Sequence, residues 1–252
     1  MGAAQRMQKM CLLNCILNGL DFFSRTLKKQ NDASRPHQSE KKTVHCHSIE
    51  YYYYHIVEME TPFVPEDTIL KDFRGSAVQA GTLWSGNQPV LVIILRRPGC
   101  LLCRDQAISI WNSRDTFTQV SSTSGTKGPV KLVCVLHEWK EREVEAFTKD
   151  YWKGDIYFDE SKAFYKAIHG GVLKKGSLAS FLNPFSKAWK NIREANKRGN
   201  VKDHNMEGDG LTLGGLAVLD CPRGNPVFTF EEKTFGDKAS MEDIVKAVHA
   251  LY

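Results

Sequence analysis

The chain has 252 residues, of which 42% are hydrophobic and 25% charged, and a formal net charge of +5. That length suits one sizeable core with an appendage. No apolar run reaches the roughly 20 residues of a membrane-spanning helix, the mild positive balance comes with no nucleic-acid-binding motif, and seven cysteines, an odd number, do not read as a secreted disulfide framework. A reducing compartment is expected, the cytoplasm first.

From Met7 to about Lys29, Leu13, Ile16, Leu17, Leu20, Phe23 and Leu27 recur at helical spacing, and Arg6, Lys9, Arg25, Lys28 and Lys29 face a single acid, Asp21. This predicts an amphipathic helix, resting on a domain or on a membrane surface. A targeting segment for mitochondrion or plastid is the alternative. Residues 30–42 are polar, contain Pro36 and read as a linker. Residues 1–60 are therefore expected to be an extension, and 61–252 the folded domain.

Within 61–252, Thr68–Trp84 predicts a short strand, a turn at Gly75 and a further segment. Val90–Leu95 is a continuous β-branched apolar run, the pattern of a strand buried on both faces. A helix is predicted over Arg104–Phe117 and a second apolar strand over Val130–Leu136, which makes a right-handed βαβ unit with parallel strands. Helices are predicted over Trp139–Trp152, Ser161–His169 and Ser186–Lys197, with a short strand at Ile156–Phe158. Leu216–Leu219 and Val227–Glu231 flank the turn residues Cys221–Asn225 as an antiparallel hairpin, and Met241–Leu251 is an amphipathic helix capped by Ser240. The order βαβ, helices, ββα predicts an α/β protein of thioredoxin-like fold, with a central mixed sheet flanked by helices.

The chemistry is expected at Arg96-Arg97-Pro98-Gly99-Cys100-Leu101-Leu102-Cys103-Arg104, between the buried strand and the helix. A helix N-terminus presents unpaired N–H groups and partial positive charge, which stabilise a thiolate. Cys100 and Cys103 are the candidate catalytic pair, with Cys100 the more exposed. Arg97 and Arg104 would lower the thiol pKa if their side chains lie near, and Gly99 permits a close approach of backbone or substrate. The same spacing also suits half a structural zinc site or two inert thiols. For zinc the clustered candidates are His45, Cys46 and His47, which are not spaced like a ribbon or finger; no metal or cofactor is expected.

Cys134, inside an apolar strand, reads as a small buried hydrophobe, whereas Cys221 at the hairpin turn should be more exposed. Cys11 and Cys15 share a helix face and suit packing, with lipidation as the alternative. The stretch Lys174–Lys202 carries Lys187, Lys190, Arg193, Lys197 and Arg198 interleaved with Phe181, Phe185 and Trp189. A solvated helix burying its aromatics is expected there, with contact to an acidic partner or a membrane surface as the alternative.

Four segments together resemble the peroxiredoxin-like 2 family: the Arg96–Arg104 segment, Lys153–Asp159, Glu207–Gly215 and Phe235–Lys238. The resemblance spans roughly 61–252. It implies a thioredoxin fold and antioxidant or redox-regulatory activity through the cysteine pair. Related prostaglandin F synthases reduce an endoperoxide with such a site. It implies a peroxide or disulfide substrate, and thioredoxin or glutathione as reductant. In typical peroxiredoxins a Thr or Ser precedes the attacking cysteine by three, the place Cys100 holds relative to Cys103. In a thioredoxin-like reaction Cys100 attacks and Cys103 resolves. Where thioredoxins have a cis-proline, Leu213-Gly214-Gly215 stands here. A non-catalytic redox sensor or adaptor is the rival reading.

Overall fold

The computed structural model describes residues 61–117 and 128–252. The N-terminal helix, the linker, the His45–His47 cluster and Cys11, Cys15 and Cys46 lie outside the described residues.

One mixed seven-stranded sheet runs in the order β2-β1-β5-β4-β3-β6-β7. The strands are β1 (Ile69–Lys71), β2 (Ala77–Gln79), β3 (Val90–Leu95), β4 (Lys131–Leu136), β5 (Asp155–Phe158), β6 (Gly215–Leu219) and β7 (Pro226–Glu231). The helices are α1 (Leu101–Asn112), α2 (Glu141–Asp150), α3 (Ala163–Ile168), α4 (Lys187–Arg198) and α5 (Met241–His249). β3, β4 and β5 are parallel neighbours, while β6 runs antiparallel to β3 and to β7. This is the βαβ then ββα plan of an α/β thioredoxin-like fold.

The buried character of β3 follows from its place. Leu91, Ile93 and Leu95 face a core shared with α1, α2, α4 and α5. Val90, Val92 and Ile94 face the opposite core, with Trp84 and with Phe164 and Tyr165 of α3. A strand covered on both faces has no polar positions to alternate with apolar ones.

Local signals set several boundaries. Asp72 Oδ1 accepts the amides of Arg74 and Ser76, both at 2.8 Å, and Gly75 takes φ +80° to close the β1–β2 turn. Ser186 accepts the Trp189 amide and Ser240 the Asp243 amide, which starts α4 and α5. Gly199, left-handed at φ 65°, ends α4.

Two expectations are corrected. Cys221 is buried, 8% exposed. The hairpin turn folds back on the domain: Phe63 N donates to Gly224 O at 2.9 Å, and Gly224 lies against the Trp84 ring. In α4 the buried residues are Ala188 and Ala195, while Phe185 is 90% exposed. Phe181 and Trp189 pack edge to face and are part-buried, with Phe181 against the core as expected, so Phe185 is the aromatic that departs from the expectation.

Candidate active site

At the C-terminal end of β3 the chain leaves the sheet through Arg96-Arg97-Pro98-Gly99 and enters α1 at Cys100. Cys100 is the N-cap residue, extended at φ −78° and ψ 131°. Its carbonyl accepts the Arg104 amide at 2.9 Å, the first helical bond. The helix therefore begins at Leu101, three residues before its apolar periodicity indicates, and Cys103 lies inside the first turn. Cys100 and Cys103 are both free thiols, buried at 6% and 3% exposure.

The two sulfurs are biased in opposite directions. The Cys103 thiol donates a hydrogen bond to Cys100, and with the Arg96 charge it holds the Cys100 thiol well below its ordinary pKa despite burial. Burial, together with that donated bond and the Cys100 charge, pushes Cys103 well above the ordinary value. The surroundings thus bias Cys100 toward the thiolate and Cys103 toward the thiol.

Arg96 is the cation of the pair. It is 5% exposed and stacks over the Phe235 ring at 5.0 Å. Its Nε lies 3.4 Å from Glu232 Oε1. Burial works against its charge, but Cys100, Glu232 and Cys103 outweigh that and raise its pKa. Glu232 follows β7 and accepts the Gly214 amide at 3.0 Å and the Gly236 amide at 2.7 Å. Burial raises its pKa, opposed by Arg96 and those two amides. At Gly214 the backbones approach so closely that a Cβ would stand 1.9 Å from Ile94 O.

The other sequence candidates hold segment 203–210. Arg97 donates to Glu207 O, and its Nη2 lies 3.4 Å from Met206 Sδ. Gly99 O accepts the Asn205 amide at 2.9 Å, and a Cβ at Gly99 would meet the Asn205 amide group at 2.6 Å. Arg104 is 1% exposed and is fully engaged with Pro98 O at 2.7 Å, Asp203 O at 2.7 Å and Glu143 Oε2 at 2.9 Å. It also stacks over Tyr151 at 4.9 Å. Arg104 therefore braces the loop before Cys100 and the start of segment 203–210. Arg96 Nη1 reaches the far end of that segment, 3.4 Å from Gly210 O. The segment is thus tied down from both ends, against the loop that leads into Cys100.

A family model described as AhpC/TSA antioxidant enzyme matches residues 115–234, a stretch that starts beyond the cysteine pair. Peroxiredoxin-like 2A of Gallus gallus is 32% identical over 173 residues, which cover 69% of this chain and 69% of its own length. The chain belongs to the peroxiredoxin-like 2 family. Peroxiredoxin-like 2A of Xenopus tropicalis is likewise 32% identical, over 193 residues covering 74% of this chain and 75% of its own. Among solved structures, the peroxidoxin BcpB of Mycobacterium tuberculosis is similar at a TM-score of 0.48 and 13% identity, covering 77% of this chain and 99% of that one.

In this peroxiredoxin-like 2 protein, Arg96, Glu232 and Asn205 contribute to the site without having been assigned a role from sequence. Strand parity would aim Arg97, not Arg96, to the face that holds Leu91, Ile93 and Leu95. The chain leaves β3 at Leu95, so parity stops applying there. Glu232 did carry a signal. Period-two alternation from Phe230 points it inward, an acid where the strand pattern asks for an apolar residue. Asn205 has no such mark, because only tertiary folding brings it to Gly99.

Proposed function

We propose that this chain is a dithiol oxidoreductase in which Cys100 attacks and Cys103 resolves. The opposite bias of the two thiols supports this most directly: the helix-capping sulfur is the better thiolate, and the in-helix sulfur holds a proton next to it. With a peroxide, the Cys100 thiolate would attack one oxygen of the O–O bond. The S–O bond forms, the O–O bond breaks, and the departing alkoxide takes up a proton. Cys103 would then attack the resulting sulfenic acid, releasing water and closing a Cys100–Cys103 disulfide. Two electrons pass from the dithiol to the peroxide. With a disulfide substrate, the same thiolate would attack sulfur and pass through a mixed disulfide. Arg96 would balance the charge on the attacking sulfur.

A small thiol such as glutathione, or the dithiol of thioredoxin, is the proposed reductant that reopens the disulfide. The cytoplasm, rich in such thiols, is the proposed setting.

The test is mass spectrometry of Cys100 and Cys103 after substoichiometric peroxide. The expected product is the intramolecular disulfide in the native chain and a trapped sulfenic acid on Cys100 in Cys103→Ser. A sulfenic acid on Cys103 in Cys100→Ser, formed as fast as the native disulfide, would reverse the assignment. An unreactive pair would remove the enzyme reading.

A further inference from the structure

The stretch Val172–Arg193 takes no part in the dithiol chemistry, yet its surface is unusual. Leu178, Leu182 and Phe185 are 62%, 86% and 90% exposed, three large apolar side chains within one short segment. They stand on an ordered scaffold. A 3-10 turn spans Leu178–Phe181, opened by the Ser177 side chain. Ser186 Oγ donates to Ser180 O at 2.6 Å, Trp189 Nε1 to Phe181 O at 3.0 Å and Arg193 Nη1 to Pro184 O at 2.9 Å. Phe181 turns inward and stacks on Phe235 at 5.0 Å, anchoring the turn while Leu182 and Phe185 protrude.

Charge accompanies this apolar knuckle. Val172–Arg193 contains Lys174, Lys175, Lys187, Lys190 and Arg193 and no acidic residue. Acids from outside the stretch reach three of these: Glu231 lies 2.9 Å from Lys174, Asp237 2.8 Å from Lys187 and Glu194 3.9 Å from Lys190. Those three lysine side chains nevertheless remain 48%, 66% and 69% exposed, so their charges stay at the surface.

We propose that this knuckle docks on an anionic lipid surface. Leu178, Leu182 and Phe185 enter the boundary between headgroups and acyl chains, and the lysines face the lipid charge. A protein partner would need a concave apolar seat shaped to three protruding side chains, together with an acidic rim. A fluid headgroup layer admits them without a preformed shape.

The test is hydrogen exchange and co-sedimentation of the full chain with vesicles of phosphatidylcholine, alone or mixed with phosphatidylserine. Serine-lipid vesicles are expected to protect the amides of 178–186. Binding should fall about fivefold in Lys190→Gln, and roughly tenfold in Leu182→Ser with Phe185→Ser. An unchanged Cys100 alkylation rate shows that these variants fold. Absence of binding, equal binding to uncharged vesicles, or protection elsewhere with none at 178–186 would overturn the proposal.

Discussion

The Arg96 Nε lies 3.4 Å from Glu232 Oε1, and this buried ion pair joins the cysteine pair to the strands opposite it. Glu232 also holds the amides of Gly214 and Gly236, so its carboxylate is satisfied on several sides. The same guanidinium that neutralises Glu232 acts on both sulfurs. Low thiol pKa and local stability therefore share one residue.

Replacing Arg96 by Gln should move both properties. The titration of Cys100, followed by the pH dependence of iodoacetamide alkylation, is expected to shift upward toward an ordinary thiol. Glu232 is left buried without its cation, which should cost about 3–5 kcal/mol in denaturant unfolding. Adding Glu232→Gln should recover part of that stability without restoring the low titration. An alkylation profile that does not move would show that Arg96 is not the source of the shift.

Cys103 supplies the largest influence on Cys100, through its donated hydrogen bond. Cys103→Ala is expected to raise the Cys100 titration, whereas Cys103→Ser, which keeps a hydroxyl donor, should raise it less. Equal profiles in the two variants would mean that the hydrogen bond is unimportant.

Arg104 should control access rather than charge. Lysine cannot reproduce its bonds to Pro98, Asp203 and Glu143 together, because it lacks the planar fork. In Arg104→Lys the segment held against Pro98 and Gly99, just before Cys100, loosens. Alkylation of Cys100 should then quicken several-fold at alkaline pH, where the thiolate is fully formed in both proteins, with stability lower by on the order of 3 kcal/mol. A rate that stays native at that pH would separate segment 203–210 from access to the thiol.

Acid stability offers an independent check on this segment. Asp209 is partly buried, which opposes its ionisation. Hydrogen bonds from Thr212 Oγ1 and from the Leu211 and Thr212 amides outweigh this and hold it at about 2. A carboxylate whose folded pKa lies below its unfolded value of about 3.9 stabilises fully above that value, and the contribution disappears as the pH falls toward 2. Asp209→Asn should therefore lower stability at pH 7 by about 1–2 kcal/mol. Acid unfolding between about pH 4 and 2 should become less steep. Identical acid transitions in the two proteins would contradict this.

Gly214→Ala tests the packing at the strand facing the cysteines. Its Cβ would meet Ile94 O at 1.9 Å, a backbone atom that no side-chain rotation can move. Destabilisation of about 3 kcal/mol is expected in thermal or denaturant unfolding. Near-native stability would show that β3 and β6 can separate at this point.

The elements of the sheet were legible wherever the cause was local. The unbroken apolar run of Val90–Leu95 marks a strand covered on both sides, Ser186 and Ser240 mark helix starts, and Gly75 marks a turn. A cysteine pair at a strand-to-helix junction carries its own chemistry, because the helix end that favours a thiolate is a local feature. Composition could not place Cys221, because its burial depends on Phe63 and Trp84 folding onto a distant turn.

Arginine roles divide on the same line. Sequence alone pointed to Arg97 and Arg104 as the charges beside the two cysteines and gave Arg96 no role. The tertiary structure separates them. Arg96 meets Glu232 and the sulfurs where β3 ends, Arg97 ties down Glu207 while its charge adds a smaller pull on the Cys100 pKa, and Arg104, carried on the helix, turns to Asp203 and Glu143. Sequence determined that a dithiol would sit at a helix start. Only the fold, by bringing residues distant in sequence into contact, decided which charge is buried beside it and what holds the loop before it.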